Sequence, residues 1–153
     1  LKRIFKQAFN LLVLSCASFA TFANVALVEG HVRAMPASVP NTAAYFTLEN
    51  HGPERQLVAV KADFVNEAQL HTIIEEDGMV KMRQVESFNI PQHGTLTLME
   101  SGDHVMLLGL KQPLVSGASV DLTLKFDDGS ELPISLMVSK QDMAKMKDHA
   151  HHH

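Results

Sequence analysis

From about Val25 onward the apolar and polar residues alternate, or cluster, in short runs broken by turn residues. No helical stripe of useful length appears in that stretch. The runs predict strands near Val25 to Val32, Ala43 to Leu48, Gln56 to Ala62, Gln69 to Ile74, Met79 to Val85, Thr95 to Met99, His104 to Leu108, Ser119 to Phe126 and Leu132 to Val138. Between them lie Asn50-His51-Gly52-Pro53, Asp77-Gly78, Ser101-Gly102-Asp103, Ser116-Gly117 and Asp127-Asp128-Gly129. These are turn signals because Gly and Asn tolerate positive φ and an Asp side chain bonds its own nearby backbone. Short, regularly spaced strands without helices predict an all-β fold, a Greek-key β-sandwich.

The N-terminal stretch follows a different pattern. Lys2, Arg3 and Lys6 precede an uncharged, largely apolar run from Gln7 through Phe22 that closes on Ala20-Thr21-Phe22-Ala23. That is the pattern of a secretory signal peptide over residues 1–23, with cleavage after Ala23 and with Ala20 or Ala26 as alternatives. The run is too short for a spanning helix, so no stable membrane insertion is expected after cleavage. Cys16 is the only cysteine and falls inside this segment, so a mature chain would hold no disulfide and no thiolate. A lipoprotein signal at Val13-Leu14-Ser15-Cys16 is disfavoured by the short apolar stretch before Cys16 and the nearby Lys6.

A length of 153 residues suits one domain, placed here at residues 24–139. Removing residues 1–23 leaves ten basic against 17 acidic side chains and moves the net charge from −4 to −7. So acidic a domain is a poor partner for nucleic acid.

Within the domain, two histidines and two methionines stand out by spacing. Ten residues separate His71 from Met82, twenty-one separate Met82 from His104, and one separates His104 from Met106. Two imidazoles and two thioethers, without thiolate or carboxylate, favour Cu(I) over other biological metals. A two-residue turn at Asp77-Gly78 would set Ile73 opposite Met82 and make His71 the diagonal neighbour of Met82 on one face. His104 and Met106, two apart on a strand, would share a face as well. Each pair is thereby preorganised, while the meeting of the two pairs is left to the fold. Methionine also suits an oxidising compartment, where a cysteine pair would tend to close into a disulfide. By contrast, Met99 and Met137 read as core filler, and His51 and His93 as solvated loop residues.

The spacing His71-x10-Met82-x21-His104-x-Met106 resembles the signature of the periplasmic Cu(I) chaperones of the PCu(A)C family. So do Ala43 to Asn50, Leu70-His71, Val80 to Arg83 and Gly102 to Leu110, and the likeness runs from about Val28 to Val138. The resemblance implies a cupredoxin-like sandwich with copper at one exposed end. It also implies His71, Met82, His104 and Met106 as the ligands. The partner implied is the copper-site subunit of cytochrome c oxidase, supplied during assembly, often alongside a thioredoxin-like copper protein. His31 departs from the family pattern, where an aromatic residue is expected.

The polar segment from Lys140 to His153 lacks a core pattern and reads as a flexible tail. Its Met143, Met146, His149, His151, His152 and His153 form a candidate second copper site. The imidazoles suit Cu(II) and the thioethers Cu(I). Bland alternatives are a tag remnant or a merely solvated tail. The function these readings favour is a periplasmic copper metallochaperone without turnover. The main alternative is a copper buffer for tolerance, which would use the same ligands. A blue-copper electron carrier would need a Cys thiolate, and no acid-base set for an enzyme is evident. An adhesion module whose ligands are accidental completes the alternatives.

Overall fold

The structure, a computed structural model, describes residues 24–140. The expected signal peptide and the tail donors Met143, Met146, His149, His151, His152 and His153 lie outside the described residues. Ten strands and no helix make up the described part: β1 (Val25–Arg33), β2 (Thr42–Asn50), β3 (Arg55–Lys61), β4 (Val65–Glu76), β5 (Met79–Gln84), β6 (Phe88–Ile90), β7 (Thr95–Thr97), β8 (His104–Leu110), β9 (Ser119–Phe126) and β10 (Glu131–Ser139). Nine of them fall where the alternation predicts strands. The tenth, β6, is a three-residue pairing before Pro91, too short to show a period of two.

The strands hydrogen-bond in the order β5-β4-β8-β2-β1-β10-β9-β3-β6, with β7 also paired to β2. Crossovers put β8 between β4 and β2, and β9 between β10 and β3, as in a Greek key. β3 returns to touch β4, so the sheet folds over on itself as a sandwich. The apolar core fills the space between, with Phe46, Leu48, Leu57, Ile90, Leu107, Leu122, Leu124 and Leu136 among its fully buried side chains. Among the described residues only the β1–β10 pair is parallel, with His31 beside Met137 and Arg33 beside Ser139.

Two departures from regular pairing shape the sheet. The β1–β2 register slips between Leu27 and Glu29, and the β3–β9 register slips between Leu57 and Ala59. The residues skipped, Val28 and Val58, are both exposed. Such bulges bend a strand and raise its local twist. At Gly30 the β1 backbone runs so close to β2 that a Cβ would lie 2.6 Å from the Phe46 Cβ.

The central strand β2 explains where a site can form. Ala44, Phe46 and Leu48 enter the core, but Ala43 and Tyr45, pointing to the opposite face, are also buried. Their cover comes from side chains of the neighbouring strands, and it is histidine and methionine that lie there.

Candidate metal centre

The β4–β5 hairpin sets the first half of the site. Asp77 and Gly78 have φ of 53° and 72°, the two positive values that a two-residue type I′ turn requires. This fixes Ile73 opposite Met82 and His71 opposite Gln84, so Met82 is the diagonal neighbour of His71 as its spacing predicts. β8 sets the second half. His104 and Met106 share one face, while Val105 and Leu107 on the other are fully buried in the core.

Pairing of β4 with β8 joins the halves. His71 stands directly opposite His104, and Gln69 opposite Met106. The two imidazole centroids are 5.8 Å apart. Met82, His104 and Met106 line one cavity of about 200 Å³, together with Tyr45, Arg33 and Glu100. The structure therefore brings all four residues of the spaced set to one corner of the sheet. His104 is only 2% exposed, whereas Met82, on the outermost strand, is 61% exposed.

Hydrogen bonds determine which ring nitrogens are free. His104 Nδ1 lies 3.0 Å from the Gly102 carbonyl oxygen. A carbonyl only accepts, so Nδ1 carries the proton and Nε2 keeps its lone pair. His71 Nε2 lies 2.9 Å from Gln69 Oε1, and the Gln69 amide is oriented by donating from its own nitrogen to Glu67 at 2.8 Å. His71 Nε2 is therefore the protonated atom and Nδ1 the free one. Both free nitrogens, His71 Nδ1 and His104 Nε2, are buried without a hydrogen-bond partner among the described residues. Leaving a buried acceptor unsatisfied costs about 1–3 kcal/mol each. Two such atoms on facing rings are what a metal ion would satisfy, and a bond from the other ring nitrogen to an acceptor is the usual support of a ligating histidine.

Burial, and secondarily the neighbouring His104, lowers the pKa of His71 from its ordinary value of 6.5. That shift favours the neutral ring, the form that binds a metal. No cluster of three or more His, Cys, Asp or Glu able to hold a metal occurs among the described residues. Any ion held by the two rings would depend on the thioethers, which selects for a soft cation. Glu100, on the cavity wall, faces Arg33 at 3.8 Å.

The same face continues as a row of rings across the sheet. His31 packs against Tyr45 at a tilt of 41°, 5.4 Å between centroids, and Tyr45 neighbours His104 at 6.3 Å. His31 is 3% exposed and paired with Tyr45 in register, so it packs in the place of the aromatic residue the family pattern expects. Two expectations need correction: Met99 and Met137 are not core filler but lie 43% and 48% exposed. Met99 closes the turn before β8, and Met137 points outward from β10. His51 and His93 are loop residues with exposed side chains, as their turn context predicts. Gln69 and the Gly102 carbonyl escaped the sequence reading. The signal for Gln69 was its position two residues before His71 on the same strand face.

A family model described as "Putative lipoprotein LpqE-like" matches residues 25–138, nearly the span from β1 to β10. The chain is 36% identical over 99 residues to "Putative lipoprotein Lxx21020" of Leifsonia xyli subsp. xyli, covering 63% of this chain and 60% of that protein. It spans about three fifths of the length of the curated relatives it matches. Among solved structures, that of CuI-DR1885 from Deinococcus radiodurans is 37% identical with a TM-score of 0.61, covering 82% of this chain and 84% of that one. The copper-bound PCuAC domain from PmoF2 shares the fold at a TM-score of 0.66 and 18% identity, covering 79% of this chain and 97% of that domain. The fold is that of PCuAC domains, and by the match over residues 25–138 the chain belongs to the LpqE-like family.

Proposed function

We propose that this protein is a copper chaperone that holds one Cu(I) through His71 Nδ1, His104 Nε2 and the thioethers of Met82 and Met106. The observation that carries the reading is the pair of buried, unpartnered imidazole nitrogens on facing rings beside a methionine-lined cavity. The Cu(I) form of DR1885, at 37% identity, supports copper as the cargo. All four donors are neutral, so binding needs no loss of a thiol proton. Loading and release are ligand exchange without turnover.

The recipient we propose is the copper centre of cytochrome c oxidase during its assembly, with a thioredoxin-like copper protein as a further partner. Export to the periplasm by the signal at residues 1–23 would bring the chaperone to that site, and the mass of the mature N-terminus decides between cleavage near Ala23 and lipidation at Cys16. The tail donors from Met143 to His153 form the proposed second copper site.

The test is Cu(I) competition against a coloured chelator, using a chain ending at Lys140 to isolate the core site. One-to-one binding that weakens strongly in Met82→Ala and His104→Ala, with folding retained, is expected. Equal, weak binding in all three would sink the chaperone reading. For delivery, Cu(I) should pass from the loaded protein to the soluble copper-binding domain of an oxidase subunit faster than it passes to a free chelator of equal affinity. High stoichiometry with slow release would favour a copper buffer instead.

A further inference from the structure

Met35 stands outside the spaced set, yet it lines the same cavity as Met82, His104 and Met106. It comes from the loop of residues 34–41 that joins β1 to β2. Met82 approaches from β5, at one edge of the sheet, and β8 carries His104 and Met106 two strands further in. Met35 reaches the cavity from beyond β8, on the β1–β2 side. The three thioethers therefore come from different parts of the fold.

The loop that carries Met35 is restrained at both ends. Ala34 N–H donates to the Ser139 carbonyl at 2.8 Å, Leu110 N–H to the Pro40 carbonyl at 2.7 Å, and Gly109 N–H to Asn41 Oδ1 at 3.0 Å. A turn closes its middle, where Val39 N–H donates to the Pro36 carbonyl at 2.9 Å. Pro36 itself biases the Met35 backbone to an extended conformation. A side chain held this way loses little backbone freedom on binding a ligand. Its neighbour Ala34 packs against the core, whereas Met35 is half-buried at the cavity wall. An unbranched thioether with three rotatable bonds can reach several positions from there.

We propose that Met35 is a third thioether donor to the Cu(I) at this site, serving as its exchange ligand. The inference rests on the copper reading above. With Met35 the cavity offers two imidazoles and three thioethers, and a soft cation tolerant of irregular coordination has a donor to spare. During loading or release a copper–sulfur bond to Met35 forms as the bond to Met82 breaks. Neither sulfur carries a proton and no electron moves, so the metal stays Cu(I) throughout.

The test labels the methionine methyls of the full chain with ¹³C, assigns each by Met→Leu substitution, and adds Cu(I) stepwise until both the core and the tail donors are saturated. The Met35, Met82 and Met106 methyls should shift together while Met99 and Met137 stay. In addition, Met35→Leu, which keeps the side-chain volume, should weaken Cu(I) about tenfold in chelator competition with an unchanged unfolding midpoint. Shifts at Met82 and Met106 with Met35 stationary, and wild-type affinity in Met35→Leu, would overturn the third-donor role and leave the chaperone intact. No shift at any of the three would overturn both.

Discussion

Gln69→Leu isolates the contribution of the group that holds His71. The substitution keeps a half-buried side chain of similar size and removes the acceptor 2.9 Å from His71 Nε2, together with the amide nitrogen that donates to Glu67. In the metal-free protein that bond is between neutral groups, which contributes about 1 kcal/mol net, or about fivefold in an equilibrium constant. Once the other nitrogen binds copper the ring is polarised, and a charge-assisted bond is about twice as strong, or about 30-fold. Cu(I) affinity should therefore fall by the difference between the two states, about 1 kcal/mol or about fivefold, against a much larger loss in His71→Ala. Glu67→Gln should fall less, since it perturbs only the far side of the amide, where the Gln69 nitrogen donates at 2.8 Å. Chelator competition gives the affinities. Nitrogen NMR of the His71 ring reports the proton on Nε2. Affinity in Gln69→Leu within twofold of wild type, beside a collapsed His71→Ala, would refute the claim that the amide orients the ring.

Other outcomes follow from the same geometry. His31→Phe should leave Cu(I) affinity unchanged and shift stability by less than about 1 kcal/mol in a denaturant melt, because the ring packs on Tyr45 as an aromatic residue would. Gly30→Ala should cost about 1–3 kcal/mol in the same melt, since its Cβ would meet the Phe46 Cβ at 2.6 Å and the Tyr45 carbonyl oxygen at 2.8 Å. Stability of the metal-free protein should fall with acidification through a window that begins near pH 6.5. His71 has a lowered pKa when folded, so the unfolded chain binds more protons between that lowered value and 6.5, and stability rises with pH across the interval. The fall should be smaller in His71→Gln when urea midpoints are compared across that range.

Much of the hairpin geometry was legible in the sequence, for a local reason. A two-residue turn leaves no freedom in register, so Asp77-Gly78 fixes Ile73 against Met82 before any tertiary contact forms. The shared face of His104 and Met106 follows from the strand period alone. The pairing of His71 with His104 does not, because it joins strands that are not consecutive in the chain. Nor does the parallel pairing of β1 with β10, which joins the two ends of the described domain. β4 runs from Val65 rather than Gln69, because its early residues Asn66 and Glu67 are polar and exposed and break the apolar alternation used to place it. Gln69 carries little signal in the sequence because a polar strand residue usually faces water, and only the position of the His71 ring gives it a task. Met35 lies in a loop without periodicity, where sequence spacing carries no information about what a side chain faces.

The exposure of Met82 on the outermost strand has a chemical consequence. A thioether open to solvent is also open to peroxide, which converts it to a sulfoxide that presents a hard oxygen in place of a soft sulfur. Met106, half-buried on β8, and the two imidazoles would be spared longer. An oxidative burst would thus disarm the site from its outer edge inward, leaving the fold standing, and methionine sulfoxide reductase would restore it without new synthesis.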